Sequence, residues 1–148
     1  MKIVRKFILL SWPDRCLLLE VLIHLCFVRL ILTFIPFKRL APSLRKTISV
    51  PELENNQSTE TWVRKVRWAV RVASQRLPWN PSCLVKSIAA KRILQHRDIP
   101  STLHLGVTKN DQNHLEAHAW LKSGTIIVTG EYQLQRYSQL LTFSDRYA

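Results

Sequence analysis

Glycine is scarce. The 148-residue chain has 3, and neither G-x-x-x-x-G-K-[ST] nor G-x-G-x-x-G occurs in it. The common loops that wrap phosphates in backbone N–H groups are therefore excluded. Cysteine is scarce too, and odd in number: Cys16, Cys26 and Cys83, with no C-x-x-C pair. That argues against a disulfide framework and a zinc site, and a reducing, cytoplasmic setting is expected. No H-E-x-x-H is present and the acidic residues do not cluster, so neither a metal nor a cofactor is expected.

Acid is in short supply. The chain has 10 Asp+Glu against 22 Lys+Arg, a formal net charge of +12. An excess of this size favours an acidic partner: nucleic acid, anionic lipid, or an acidic protein or peptide. The cations are scattered, and no zinc-finger spacing or aromatic RNA-binding signature accompanies them, so nucleic acid is not expected. A long uncharged apolar run is also missing. Leu17 to Phe37 is strongly apolar, but Glu20, His24 and Arg29 punctuate it and Lys38-Arg39 follows. A spanning helix needs about 20 predominantly apolar residues with few or no charges. No small-residue cleavage site follows, so a signal peptide fits poorly. The segment reads instead as a helix docked on the domain, a partner or the membrane surface. Arg15, Glu20 and Arg29 should then face solvent or a partner, with Leu18, Leu22, Leu25 and Ile31 packed.

What the chain does have is enough apolar residue, 47%, for one domain with a real core. Ser11-Trp12-Pro13-Asp14 predicts a helix start, and Pro36 a stop after about Thr33. Cys16 and Cys26 fall on this helix and read as buried small hydrophobes. Pro42 to Gln57 is polar, which suggests an N-terminal helical segment over 1–46, a linker over 47–57 and a core over 58–148. Ser58 to Leu77 carries Trp62, Val66, Ala69, Val70 and Ala73 at helical spacing. Pro78-Trp79-Asn80-Pro81 breaks it. A third helix starts at once, capped by Asn80 or Ser82, and places Cys83 in its first turn. From Leu103 the period becomes two. Leu103, Leu105 and Val107, then Leu115, Ala117, Ala119 and Leu121, then Thr125 to Thr129 predict three antiparallel strands joined by short turns. The tail to Phe143 reads as irregular or as a fourth short strand. The fold class is α+β: N-terminal helices, then a cysteine-bearing helix packed on an antiparallel sheet.

Two residues could carry chemistry. A thiol in the first turn of a helix lies at the positive end of its dipole, near unpaired N–H groups, which favours the nucleophilic thiolate. Cys83 is so placed; the competing reading is a buried inert cysteine. His118 shares a strand face with Glu116 and Trp120; the competing reading is a hydrogen-bonded structural histidine. His104, mid-strand, and His114, at a turn edge, are weaker rivals. A helix-opening cysteine followed by a strand histidine is the arrangement of papain-like and transglutaminase-like enzymes. A third group should orient the imidazole. Glu131 is the candidate, with Glu116, Asp111, Gln133 or a backbone carbonyl as alternatives.

Pro78-Trp79-Asn80-Pro81-Ser82-Cys83-Leu84, Ile99-Pro100, Leu105-Gly106-Val107 and Ala117-His118-Ala119-Trp120-Leu121 together resemble the transglutaminase-like proteins of lasso-peptide biosynthesis. Ser11 to Leu19, Val128-Thr129-Gly130 and Tyr137 to Phe143 extend the resemblance over nearly the whole chain. It implies the peptidase half of a split leader-processing enzyme. Cys83 and His118 take the catalytic roles. The family's acidic third residue usually lies about a dozen positions after the histidine, where Glu131 is the only carboxylate. The implied partners are a precursor peptide, a small leader-binding protein and a lasso cyclase similar to asparagine synthetase. A catalytic Cys83 should lie within about 4 Å of a ring nitrogen of His118. It should also alkylate well below pH 8, where a structural cysteine reacts slowly; mass spectrometry of the alkylated chain measures this.

Overall fold

The computed structural model describes residues 9–45, 47–48, 57–132 and 134–147. Helix α1 spans Trp12–Phe34, and a short α2 (Phe37–Leu40) and a 3-10 turn (Ala41–Leu44) follow it. Strand β1 is Thr47–Ile48, helix α3 is Gln57–Ser74 and helix α4 is Cys83–His96. Strands β2 (Thr102–Lys109), β3 (Leu115–Ser123), β4 (Ile126–Thr129), β5 (Ser138–Ser144) and β6 (Arg146–Tyr147) complete an α+β fold. Most of the expected linker lies outside the described residues.

The predicted hairpins form: β2 pairs antiparallel with β3, and β3 with β4. The tail adds a full edge strand. β5 pairs with β2, giving the order β4-β3-β2-β5, so the β4–β5 connection crosses from one edge of the sheet to the other. β1 and β6 form a separate two-stranded parallel pair.

Period-two patterning decides which face meets the helices. Leu103, Ala119 and Leu121 are fully buried in the same apolar cluster as Ile88, Ala89, Ala90, Ile93 and Leu94 of α4. Val63, Val66, Ala69, Val70 and Ala73 put one stripe of α3 into that cluster. α1 joins it through Leu17, Leu18, Val21, Leu25 and Val28, with Leu22 and Ile31 partly buried beside them. Glu20 does not face solvent freely: Arg97 grips its carboxylate with two bonds, at 2.7 and 3.0 Å, tying α1 to the end of α4. That hydrogen bonding, and the guanidinium charge with it, hold the Glu20 carboxyl below its usual pKa, against the opposing effect of burial.

Beneath α4 lies a buried ion pair. Lys91 Nζ is 3.0 Å from Asp145, and the two side chains are 0% and 1% exposed. Lys91 also donates to the Ser101 carbonyl at 2.7 Å. Asp145 accepts from Gln95 Nε2 at 2.8 Å and from the Ser101 N–H at 3.1 Å. One carboxylate therefore joins the helix, the start of β2 and the end of β5. Burial pushes the Lys91 ammonium below its usual pKa, and the Asp145 charge and hydrogen bond resist that shift. Asp145→Asn should lower the free energy of unfolding by about 3–5 kcal/mol, because it strands a buried ammonium. Urea denaturation of the two chains measures the difference.

Candidate active site

Helix α4 starts where Pro78 to Pro81 stop the preceding segment. Ser82 is its N-cap, and the Ser82 hydroxyl accepts from the Val85 N–H at 3.3 Å. Cys83 is thus the first helical residue, half-buried against the apolar cluster. One turn on, Ser87 is fully buried and reaches the sheet. Its hydroxyl lies 2.7 Å from Thr129 Oγ1 and 3.4 Å from the Ala119 carbonyl. This pins the thiol-bearing end of the helix to β3 and β4, beside the strand position of His118.

His118 is half-buried on β3. Its Nε2 lies 2.8 Å from the Gly130 carbonyl oxygen. A carbonyl can only accept, so in the neutral ring Nε2 carries the hydrogen and Nδ1 keeps the lone pair. The Tyr137 ring stacks on the imidazole at 4.8 Å between centroids, and Trp120 lies at 6.1 Å. Trp120 stacks in turn on His104 at 5.3 Å. The aromatic row occupies one face of the sheet while Ala119 and Leu121, of opposite parity on the strand, are buried in the helix-side core. Gly106 makes room for the row: a Cβ there would sit 2.9 Å from the Trp120 ring. His104 bonds Gln139 Oε1 at 3.0 Å, and burial, with the Lys122 charge, pushes its imidazole below its usual pKa despite that bond.

No hydrogen bond joins Cys83 to His118 among the described residues. Glu131 does not meet the imidazole. The Glu131 carboxylate is 60% exposed and pairs with Arg67 at 2.6 Å, pointing to α3. Its neighbour Gly130 supplies the acceptor, twelve residues after His118. Gly130 has φ +74°, and a Cβ there would overlap the Ala119 carbonyl oxygen and the Trp120 backbone. This left-handed turn suits glycine and directs the carbonyl at the ring. The other carboxylates are also elsewhere: Glu116 accepts from Asn110 at 3.2 Å, and Asp111 lies 3.7 Å from Arg136. Gln133 lies outside the described residues. His114 is exposed. A backbone acceptor was among the alternatives, but no residue letter marks it; the one signal was a glycine at the family's acidic spacing.

The Trp79 ring, just before α4, lies under the Arg29 guanidinium at 4.2 Å. Cys16 and Cys26 are exposed rather than buried. The packed stripe of α1 uses the opposite side of the helix, and an all-round apolar sequence gives no sign of which side is covered. Beside Gly130, a cavity of about 280 Å³ is lined by Arg67, Arg71, Asn80, Lys86, Thr129 and Glu131, among others.

The model of a family described as "Transglutaminase-like superfamily" matches residues 31–142. No curated protein and no solved structure gives a significant match.

Gly130→Ala should destabilise the chain by about 2–4 kcal/mol, through overpacking and a strained left-handed residue. It should also release the His118 Nε2–H tautomer, which ¹⁵N NMR of the neutral imidazole reports. Glu131→Gln should change stability by no more than about 1 kcal/mol, since it removes one exposed pair, and leave the tautomer in place.

Proposed function

Since the chain belongs to the transglutaminase-like superfamily, which includes cysteine peptidases and acyltransferases, we propose that it is a cysteine peptidase. Its substrate on this reading is the ribosomally made precursor of a lasso peptide, and it removes the leader. The observation that carries the reading is that Cys83 opens the helix packed on β3, the strand of His118, whose Nε2–H is bound by the Gly130 carbonyl so that Nδ1 keeps its lone pair to act as a base. Ser87 supports it by anchoring the thiol-bearing end of the helix to the strand beside His118.

The chemistry follows from these groups. His118 Nδ1 takes the Cys83 proton, and the thiolate attacks the carbonyl at the leader–core junction. The developing oxyanion is met by the Cys83 N–H, one of the unpaired donors of the first helical turn. The imidazolium then gives its proton to the leaving amine, which departs as the new N-terminus of the core. The leader remains on sulfur as a thioester. Water, deprotonated by Nδ1, attacks the thioester; the leader leaves with a free carboxylate and the thiol is restored. The Gly130 carbonyl stabilises the imidazolium and fixes the ring through both steps. Glu131 takes no part in this scheme.

The expected partners are the precursor, a small leader-binding protein, and an asparagine-synthetase-like cyclase that closes the ring on the amine released. The aromatic row and the +12 charge suit a peptide and an acidic partner equally well. With these partners present, Cys83→Ala and His118→Ala should each lower precursor cleavage by at least about 10³-fold. Mass spectrometry should show the released leader with a free carboxylate; a leader joined to an added amine would identify acyl transfer instead. Cleavage at the wild-type rate by a folded Cys83→Ala chain would rule the reading out in favour of a scaffold bridging the leader-binding protein and the cyclase.

A further inference from the structure

Helix α1 is apolar on two opposite sides. One is packed: Val21, Leu25 and Val28 are fully buried in the core. The other carries Trp12, Leu19, Ile23, Phe27, Leu30 and Phe34, each between 49% and 80% exposed. With exposed Cys16 these residues recur every three or four positions over the whole helix, a continuous stripe rather than scattered side chains, and exposed Cys26 lies beside it. Stripes of this extent on a soluble face mark a surface that something covers.

Charge indicates what covers it. The first 45 residues hold two acids, Asp14 and Glu20, against eight cations. Both acids are bound on the domain: Asp14 by Lys65 at 3.3 Å and Glu20 by Arg97 at 2.7 Å. In sequence the cations flank the helix on both sides. Lys2, Arg5 and Lys6 precede the helix in sequence, and exposed Lys38, Arg39 and Arg45 follow it. Lys38 and Arg39 make no ion pair among the described residues. A second copy of the chain would carry the same net charge of +12 and be repelled. An apolar stripe followed by exposed cations at its C-terminal end, with further cations before it in the sequence, suits an anionic bilayer surface.

By length and composition the helix could also cross a membrane. Crossing would strip Val21, Leu25 and Val28 from a core in which they are 0% exposed, and break the Glu20–Arg97 pair. Lying in the plane of the interface keeps both.

We propose that α1 is a membrane-docking element: its Trp12–Phe34 stripe sits among the acyl chains of an anionic leaflet while the opposite side stays packed on the domain. The docking is independent of the peptidase reading. It makes the chain a peripheral protein whose binding combines apolar burial with attraction to acidic headgroups.

The test is co-sedimentation of the full chain with vesicles of phosphatidylcholine alone and with about one third phosphatidylserine, the fraction that supplies the negative surface potential. Binding should require the anionic lipid and fall at least about tenfold between 0.1 and 0.5 M salt. Ile23→Glu with Leu30→Glu replaces exposed residues only, so the fold should survive, as circular dichroism and melting check. Binding of this variant should fall at least about tenfold. Lys38→Gln and Arg39→Gln should each weaken binding about fivefold. Absent binding, equal binding to neutral vesicles, or full binding by the Ile23/Leu30 variant would overturn the proposal. Retention on vesicles after alkaline carbonate would overturn it in favour of a spanning helix. Dimers in sedimentation equilibrium, with no vesicle binding, would overturn it in favour of self-association.

Discussion

The buried Lys91–Asp145 pair is the constraint on which the rest of the arrangement depends. Both side chains are out of water, and removing Asp145 leaves the Lys91 ammonium buried without its counter-charge. The pair reads as a positioning device. Asp145 also binds Gln95 on the same helix and the Ser101 N–H at the entrance to β2. Apolar packing alone would let α4 slide along the sheet at small cost, because Ile88, Ile93 and Leu94 are similar in volume and non-directional. A hydrogen-bonded ion pair does not slide. It sets the C-terminal half of the helix, Ser87 sets the middle, and the N-terminal cysteine follows from helical geometry.

The site inherits its order from that anchor. Cys83 belongs to a helix fixed twice on the sheet, while His118 belongs to the sheet itself and is held between the Gly130 carbonyl and the Tyr137 ring. The crossover from β4 to β5 supplies both of these contacts. A segment that first serves to bring β5 to the far edge of the sheet thereby also forms the wall of the imidazole's pocket. This economy explains why the tail, which carries little apolar alternation, is nonetheless ordered as a strand over Ser138–Ser144.

What the sequence made legible was local. Pro81 and Ser82 announced the start of α4, and with it the place of Cys83; alternation from Leu103 to Leu121 announced two strands and the face that meets the helices. What it concealed was non-local or main-chain. Lys91 and Asp145 are far apart in the chain, and no short pattern links a mid-helix lysine to a C-terminal aspartate. β5 pairs with β2 through a register shift at Leu105/Gly106, which blurs its period. Cys16 and Cys26 were misread because burial of a helix that is apolar all round depends on which neighbours arrive, and that is tertiary information. The acceptor that meets His118 was hidden because it is an amide oxygen, and every residue has one.

That oxygen has a genetic consequence. A carboxylate partner is encoded by one codon and can be lost by one base change; a carbonyl belongs to the polymer and survives any substitution that leaves the chain's path alone. Alanine scanning of the neighbouring polar side chains would therefore miss the orienting contact on His118. It can be lost only by rerouting the turn at Gly130, or by replacing that backbone amide with an ester. Selection would register it as an intolerance to any side chain at 130, and as indifference to the acid next door.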